Sequence, residues 1–498
     1  MFTTTSSGAY HRYANANLGL QGGYDYMGRY FADVSLAGVH SARLAEGHRN
    51  ALSHSFTLGW NMAKEKFMKG SRVDDLLLSA SYSNLSEDID VYRERDDEYF
   101  YLYRALWATE GSGFNWNDGT TVDRTYSKSG SNPGLDFIHR NEFSVTLRGS
   151  FFKKLLTTDL TFFNTDMSGF IVQNPTDFPS HLQSGLGSST FNPLINNNVQ
   201  NRKGLDFSVK VQKQFKKVYV ALGVVGTYLK TNHSKFDEIV EYDYQHVQDH
   251  PLDAIWGYKC LGFYTADDFD VSTTADGKTK YTLKEGLPES KVGGSIQPGD
   301  LKYQDMNGDG IINNKDLIYL GRSGAYGAPV TKGVNFTLKY KNFTLFVVGN
   351  GEFGAYGVMN SFYYKNPKAS DSDRVYSSFG NYYYMSGEAK YSVNALGRWT
   401  PETADVATHP RLTTLNSNNN AAPSTFWLYT TDRFNLRKVQ LTYDFSEDLF
   451  KRKIVKALSI YVNANDLFTL SNNRKLLETN IGYAPQTRFY NLGVKATF

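Results

Sequence analysis

The sequence lacks several features that mark common protein classes. Cys260 is the one cysteine among 498 residues, so the chain cannot form an internal disulfide. No run of about 18 apolar residues occurs, which excludes a membrane-spanning helix. The sequence also lacks an excess of either sign of charge. Its 53 basic and 50 acidic residues give a net charge of +3, which is too balanced to favour nucleic-acid binding. Disorder is excluded as well, since the chain is 40% apolar and 15% aromatic.

Apolar and polar residues alternate along many segments with a period of two. Between residues 55 and 62, for example, Phe56, Leu58 and Trp60 share one face and polar residues share the other. Such segments are about ten residues long, roughly twice a usual soluble strand, and long enough to cross a bilayer at a tilt. Because backbone groups in lipid must all be paired, a spanning sheet has to close. The pattern favours an all-β, antiparallel transmembrane β-barrel over the alternative, a soluble all-β domain.

Thirteen strands are predicted from this alternation, and the connections between them alternate in length. The predicted strands are 15–24, 29–37, 55–63, 75–84, 141–152, 155–166, 204–215, 218–231, 331–341, 343–353, 435–445, 457–470 and 489–498. Tight turns follow at 153–154, 216–217 and 341–342, where the lysines are interpreted as ordinary surface charge. The long loops are 85–140, 167–203, 232–330 and 354–434. Short turns are typical of the periplasmic side and long loops of the cell exterior.

The last predicted strand and the strand parity favour an outer-membrane barrel that is only partly present. Tyr490, Leu492, Val494 and Phe498 alternate with polar residues, and a terminal aromatic on such a strand is typical of bacterial outer-membrane barrels. Single-chain barrels of this kind have an even strand number. An odd count therefore predicts one missed strand or a truncated barrel. Residues 1–5 show no targeting signal, and we expect that the natural N-terminus lies elsewhere.

Several motifs, in order, resemble the SusC/RagA family of TonB-dependent outer-membrane transporters between about residues 29 and 498. They are Gly59-Trp60-Asn61 with Glu65–Met68 and Leu76–Tyr82, then Trp256–Gly262, Pro298–Tyr303, Asp305–Gly310, Arg398–Glu402, Asn465–Phe468 and the closing Tyr490–Phe498.

The resemblance implies a large plugged barrel of the class with about 22 strands. It also implies import of an oligosaccharide or peptide across the outer membrane of a Gram-negative, Bacteroidetes-type bacterium. The implied partners are a SusD-like surface lipoprotein, outer-membrane lipid, and the TonB system acting through a plug domain. Residues 1–498 contain no plug, so we expect the C-terminal barrel portion of such a transporter, incomplete on its own. The alternative is a non-transporting barrel that scaffolds a surface or assembly complex. Neither is an enzyme, and neither binds nucleic acid.

One loop has the oxygen spacing of a calcium site. Side chains of Asp305, Asn307, Asp309, Asn313 and Asp316, with the carbonyl of Ile311, fall at positions 1, 3, 5, 9, 12 and 7 of a twelve-residue loop. Hard oxygen donors favour Ca²⁺ over transition metals. An Asn/Asp/Gly-rich turn without metal is the alternative. We expect a structural calcium ion that braces the long loop 232–330.

Other motifs carry weaker indications. Gly349–Gly354 satisfies G-x-G-x-x-G, but no helix start follows, so rim glycines are favoured over nucleotide binding. His246 and His250 are spaced for a metal, although a solvated loop is the preferred interpretation. Loop aromatics could stack on sugar rings or pack on one another; they are Tyr99, Phe100, Tyr101, Tyr103, Trp107, Trp116 and Tyr382–Tyr384.

Overall fold

The computed structural model describes residues 2–4, 10–12, 15–88, 101–173, 191–359, 397–411, 419–446, 455–479 and 484–498. The side chains of 2–4, 10–12, 108–115 and 121–125 are not part of that description. Of the aromatic candidates, Tyr99, Phe100 and Tyr382–Tyr384 lie outside the described residues.

A single antiparallel sheet of thirteen strands dominates the fold, and its strands follow one another in sequence order. Every predicted strand is confirmed. The strands are β1 (Asn15–Tyr26), β2 (Tyr30–Ser41), β3 (Asn50–Asn61), β4 (Val73–Glu87), β5 (Ile138–Phe151), β6 (Leu156–Gln173), β7 (Leu194–Phe215), β8 (Val218–Lys235), β9 (Val330–Tyr340), β10 (Phe343–Phe353), β11 (Arg433–Asp444), β12 (Ala457–Leu470) and β13 (Phe489–Thr497).

The sheet has an apolar outer face and a polar inner face, as the alternation predicts. Large apolar side chains stand exposed on the outer face, among them Leu18 at 82% and Leu492 at 75% exposure. Cross-strand partners share a face, so polar residues meet polar residues across the ladder. On the inner face, for example, the Thr146 and Thr161 hydroxyls lie 2.9 Å apart. An apolar face open along a whole sheet suits a lipid environment better than water.

Several strands are longer than the ten residues expected, and the excess lies at one end. β7 has 22 residues and begins at Leu194 instead of residue 204. Residues 194–203 read LINNNVQNRK and have no apolar face, which explains why alternation did not reveal them. β3 begins at Asn50 instead of residue 55. It ends at Asn61, because Met62–Lys64 and Lys66–Met68 form 3₁₀ turns. Polar extensions of this kind are expected where strands leave the lipid.

The two ends of the sheet differ in their connections. At the end we call the turn end, the fully described connections are 27–29, 62–72, 152–155, 216–217 and 341–342; residues 445–456, described in part, also connect strands at this end. At the opposite end, the loop end, residues 42–49, 88–137, 174–193, 236–329, 354–432 and 471–488 separate consecutive strands. The predicted tight turns lie in the connections 152–155, 216–217 and 341–342, and the four longest loop-end connections match the predicted long loops.

The loop-end segments carry short paired strands and small buried cores. The strands are Leu106–Asn115, Thr121–Ser129, Ala254–Gly257, Cys260–Phe263, Phe269–Thr273, Thr279–Leu283, Glu289–Ser290, Leu301–Tyr303, Ile311–Ile312, Ile318–Arg322, Tyr356–Val358 and Leu428–Thr430. Another pair is Phe2–Thr4 with Tyr10–Arg12. The helices are 3₁₀ turns at Asp243–Gln245, Ala266–Asp268, Asn314–Asp316 and Ala404–Val406 and an α-helix at Arg474–Thr479. Within the described residues, no helix is long and apolar enough to cross a membrane.

Two apolar clusters lie among these loop-end segments. One contains Leu44, Leu102, Leu135, Phe137, Ile171 and Leu194. The other contains Tyr258, Leu301, Tyr303, Ile312, Ala422 and Trp427. The second cluster joins residues 258–312 to residues 422–427, so the two longest loops pack against each other.

Candidate functional sites on the inner face and the loop end

Charged side chains on the inner face are paired across neighbouring strands. Arg148 of β5 donates from Nε to Asp159 of β6 over 2.9 Å. Arg433 of β11 donates from Nη2 to Glu352 of β10 over 2.8 Å. Both partners of each pair are at least a third exposed. The inner face therefore offers both signs of charge and hydrogen-bonding groups, which can contact peptide amides or sugar hydroxyls.

The Asn465–Phe468 motif forms a bulge on this wall. The ladder between β11 and β12 changes register on either side of Arg437. Asp466 adopts a left-handed backbone with φ of 51°. Arg437 uses Nη1 to bind Asp466 over 2.7 Å and Nε to bind Asn350 over 2.7 Å. The motif thus places a cross-strand arginine bridge where the ladder is interrupted, a role that the sequence did not predict for Arg437.

A buried carboxylate connects the two longest loops. Asp300 is completely buried. Arg411 reaches both of its oxygens, with Nε 2.7 Å from Oδ1 and Nη2 donating to Oδ2 over 3.1 Å. Asn420 donates from Nδ2 to Oδ1 over 2.7 Å, and the Gln297 amide donates to Oδ2 over 2.8 Å. The carboxylate is therefore both charge-paired and hydrogen-bonded, as a buried charge must be.

Neighbouring backbone groups complete this loop-end junction, which we define as Asp300, Leu301, Tyr303, Arg411, Asn419 and Asn420. The Leu301 amide donates to Asn420 Oδ1 over 2.8 Å, and Asn419 Nδ2 donates to the Leu301 carbonyl over 2.8 Å. The Tyr303 hydroxyl donates to the Asn419 carbonyl over 2.5 Å, and burial raises the pKa of that hydroxyl. Sequence reasoning missed Arg411, Asn419 and Asn420, because a polar run in a long loop is usually solvated.

The junction also brings together two motifs that were used for the family resemblance. Gly299, in Pro298–Tyr303, has φ of +88°, and a Cβ there would lie 2.3 Å from the ring of Trp399 in Arg398–Glu402. A side chain at position 299 is therefore excluded both by conformation and by contact. This close approach gives the two motifs a shared structural role at the loop end.

In the predicted calcium loop, carboxylate oxygens accept hydrogen bonds from backbone amides of the same loop. Asp305 accepts the Gly308 amide on Oδ1 over 2.7 Å and the Gly310 amide on Oδ2 over 2.8 Å. Asp316 is completely buried and accepts the amides of Met306 and Asn313, both over 2.8 Å. Across the part of the chain that the structure describes, no three His, Cys, Asp or Glu side chains converge as metal ligands.

The remaining loop donors have similar local bonds. Asn307 accepts the Asp309 amide over 3.1 Å, and Asp309 accepts the Ile311 amide over 2.8 Å. Asn313 Oδ1 caps the turn Asn314–Asp316 by accepting the Lys315 amide over 2.7 Å. The six predicted ligand positions therefore lie in one compact loop, and the carboxylate and amide oxygens retain lone pairs for a hard cation. Calcium binding stays a prediction.

The other sequence motifs find structural explanations. His246 Nδ1 lies 3.0 Å from Glu238 Oε1, whereas the His250 ring packs against Trp256 and Tyr319. The two histidines thus have different partners. Gly349–Gly354 runs along β10, which pairs with β9 and β11, and a strand at Tyr356–Val358 follows. Within the described residues that follow, up to 359, no helix begins, whereas a dinucleotide site needs one directly after the glycines.

Cys260 and Tyr264 are held in their neutral forms at neutral pH. Burial raises the pKa of the Cys260 thiol and raises the pKa of Tyr264 to about 12. A thiol acts as a nucleophile through its thiolate, so this environment disfavours reactivity.

Comparison with known proteins identifies the class of fold. No family model matches the chain. Among curated proteins, TonB-dependent receptor P26 of Formosa agariphila is 23% identical over 503 residues, which cover 95% of this chain and 45% of the relative. TonB-dependent receptor P39 of the same organism is 24% identical over 481 residues, covering 90% and 42%. The chain thus spans less than half the length of these relatives.

Solved structures indicate the same class of fold. The RagAB peptide importer in its closed-closed state matches with a TM-score of 0.65 at 16% identity, covering 99% of this chain and 49% of that one. Its open-open state matches with a TM-score of 0.66 at 15% identity, covering 98% and 47%. The sheet is therefore that of an outer-membrane β-barrel of Gram-negative bacteria. Within that class, the chain has the barrel fold of SusC/RagA-like TonB-dependent transporters, as the sequence predicted.

Proposed function

We propose that this chain forms part of the barrel wall of an outer-membrane nutrient importer that carries an oligosaccharide or a peptide. The observation that supports this most directly is the two-faced sheet of thirteen strands, together with similarity to TonB-dependent receptors over at least nine-tenths of the chain. The apolar outer face contacts lipid and the polar inner face contacts the solute. The matched RagAB structures are described as peptide importers, which favours a peptide cargo.

The proposed orientation follows from the connection lengths. The turn end faces the periplasm and the loop end faces the cell exterior. We propose that a SusD-like surface lipoprotein covers the loop end and that TonB acts through a plug domain outside these residues. The protein has no catalytic role in this proposal, because the names of its relatives describe receptors and importers.

Residues 305–316 are proposed to bind calcium and to brace the loop 232–330. The support is the compact set of oxygen donors at calcium-loop spacing and the left-handed glycines at the sharp turn, Gly308 at +74° and Gly310 at +81°. The loop is also tied to its surroundings, because the Tyr244 hydroxyl donates to the Lys315 carbonyl over 2.7 Å. Its role would be structural.

Uptake measurements distinguish import from the alternative, a non-transporting scaffold. Cells carrying the complete natural gene are given labelled peptides or oligosaccharides, with and without a functional TonB. Uptake that requires both the gene and TonB supports import, whereas a scaffold gives no such uptake. A double substitution on the inner face, Glu352→Gln with Arg433→Gln, should alter the rate for charged peptides. Lys332→Gln, on the outer face of β9, is the matched control and should not.

A further inference from the structure

The turn end of the sheet contains an unusual set of left-handed residues. Of the eight described non-glycine residues with positive φ, six lie in turn-end connections, and four of those six are lysines. They are Met27, Phe152, Lys153, Lys154, Lys216 and Lys341, with φ between 49° and 63°. Glycine or asparagine adopts this conformation with less strain than lysine does. The turn conformation therefore does not explain why lysine occupies these positions, which leaves the side chain itself as the reason.

Positive charge is concentrated at the same end. The five connections 27–29, 62–72, 152–155, 216–217 and 341–342 contain ten Lys or Arg residues and one acidic residue, Glu65. They carry a net charge of +9, whereas the whole chain carries +3, so the rest of the chain is net negative by 6. The turn end is therefore a basic rim on an otherwise acidic molecule.

These cations form no close ion pair within the described structure. None of the ten basic side chains in the rim lies within 4.0 Å of a described carboxylate. The nearby Asp74 carboxylate instead accepts the backbone amide of Lys154 over 2.8 Å. At the loop end, by contrast, the basic side chains of Lys302 and Arg411 have carboxylate partners at 2.9 Å and 2.7 Å. Unpaired charge of one sign points to an external counter-charge.

The position of two ammonium groups indicates what supplies that counter-charge. Lys341 Nζ, in the rim, lies 5.4 Å from the ring centre of Tyr340, and Lys213 Nζ, at the adjoining end of β7, lies 5.0 Å from that of Phe215. Both rings belong to the apolar outer face, where Tyr340 is 47% and Phe215 is 53% exposed. The cations thus lie at the level where aromatic side chains mark the membrane–water boundary, the depth of lipid phosphates. A partner bound inside the barrel would not meet them there.

We propose that the turn-end rim binds the phosphate groups of anionic phospholipids in the periplasmic leaflet of the outer membrane. The exposed aromatic residues contact the acyl-chain boundary, and the lysines beyond them contact the headgroups. Lysine suits this task because it is a point charge on a long flexible stem that reaches a mobile phosphate. The inference depends on membrane placement and orientation and does not depend on transport.

Lipid retention tests the proposal. The protein in its complete natural form is purified in a non-ionic detergent, stripped of lipid, and mixed with phosphatidylglycerol or with phosphatidylcholine of the same acyl chains. Bound lipids are then counted by native mass spectrometry. We expect phosphatidylglycerol to be retained about tenfold better, as several lysines near an anionic headgroup imply. The preference should weaken as salt is raised, because these charges are solvent-exposed.

The informative variant replaces Lys153, Lys154, Lys216 and Lys341 by Asn. Asparagine tolerates the left-handed backbone, so these turns should form at least as well as before, and resistance of the barrel to heating in detergent checks this. The control replaces four loop-end lysines by Asn, namely Lys259, Lys278, Lys280 and Lys284. Loss of the lipid preference in the turn-end variant alone supports the proposal. Equal retention of both lipids by the unmodified protein, a preserved preference in the turn-end variant, or an equal loss in the control would overturn it.

Discussion

Arg411→Met tests the loop-end junction, because it removes the cation from a buried ion pair while keeping much of the apolar stem. Asp300 would then remain as a completely buried carboxylate with only neutral donors. Breaking a buried pair in this way costs about 3–5 kcal/mol. We expect the junction to open locally while the sheet strands remain paired, since their ladders do not pass through it.

Hydrogen exchange at the Leu301 amide measures this cost. The amide is bound to Asn420 Oδ1, and Leu301 is completely buried, so it exchanges when the junction opens. A loss of about 3–5 kcal/mol accelerates exchange by roughly two to four orders of magnitude. Lys278→Met is the control, because its pair with Asp276 is largely exposed and should matter little. The reasoning is refuted if Leu301 exchange is unchanged in Arg411→Met, or if the control accelerates it as much.

The double substitution Asp300→Asn with Arg411→Met separates charge from packing. No buried charge remains at the junction in this variant, and the side-chain amide introduced at position 300 can still accept a hydrogen bond from a neutral donor. We therefore expect it to recover part of the protection that Arg411→Met loses. Protection lower than in the single variant would mean that the carboxylate contributes mainly through its shape and hydrogen bonds.

Three further predictions address other parts of the loop end. Burial acts to raise the pKa of Glu238, but amide hydrogen bonds and His246 outweigh it and hold the pKa below its ordinary value. The bond from the Val247 amide to Glu238 should therefore be lost only as pH falls through that lowered value. The measurement is the protection of the Val247 amide relative to its intrinsic exchange rate, which should fall in acid and stay unchanged near neutral pH; unchanged protection in acid would contradict this. Asp305→Ala with Asp309→Ala should abolish calcium binding in titration calorimetry; no binding by the unmodified protein would contradict the site. Gly299→Ala should expose the loop end to protease, because Cβ clashes with a tryptophan ring; unchanged cleavage would contradict this.

The sheet could be predicted from sequence because lipid imposes a pattern on every residue of a spanning strand. In β12, Leu458, Ile460 and Val462 face outward and polar residues face inward, so period-two alternation identifies the strand directly. The pattern ends where the lipid ends. Residues 194–203 of β7 continue the ladder with polar side chains on both faces, and no period-two alternation marks them.

The loop-end junction could not be predicted, because its partners are far apart in sequence. Asp300 and Arg411 are 111 residues apart, and Asn420 lies beyond them. Nothing local distinguishes a buried asparagine from a solvated one, since burial depends on how two long loops pack. The calcium loop differs: its residues are adjacent, so sequence spacing alone determined that they share one turn.

The outer edges of the sheet lead to a final prediction about the 498-residue chain by itself. In the described residues, β1 pairs only with β2 and β13 pairs only with β12, leaving one side of a 12-residue strand and one side of a 9-residue strand without ladder partners. Each unpaired backbone group in hydrocarbon costs several kcal/mol. Two such edges would together exceed the roughly 5–15 kcal/mol that stabilises an ordinary domain.

We therefore propose that strands outside these residues pair with β1 and β13, or that the chain alone closes on itself or fails to insert. Self-closure would give a polar channel without a plug to couple it to TonB, so it would leak. Expression of residues 1–498 behind a signal peptide, in cells lacking the cognate transporter, distinguishes these outcomes. We expect either no inserted protein or passive leakage of small solutes. Energy-dependent uptake of a peptide or oligosaccharide by this chain alone would refute the argument, because it would require a closed and gated barrel built from these strands only.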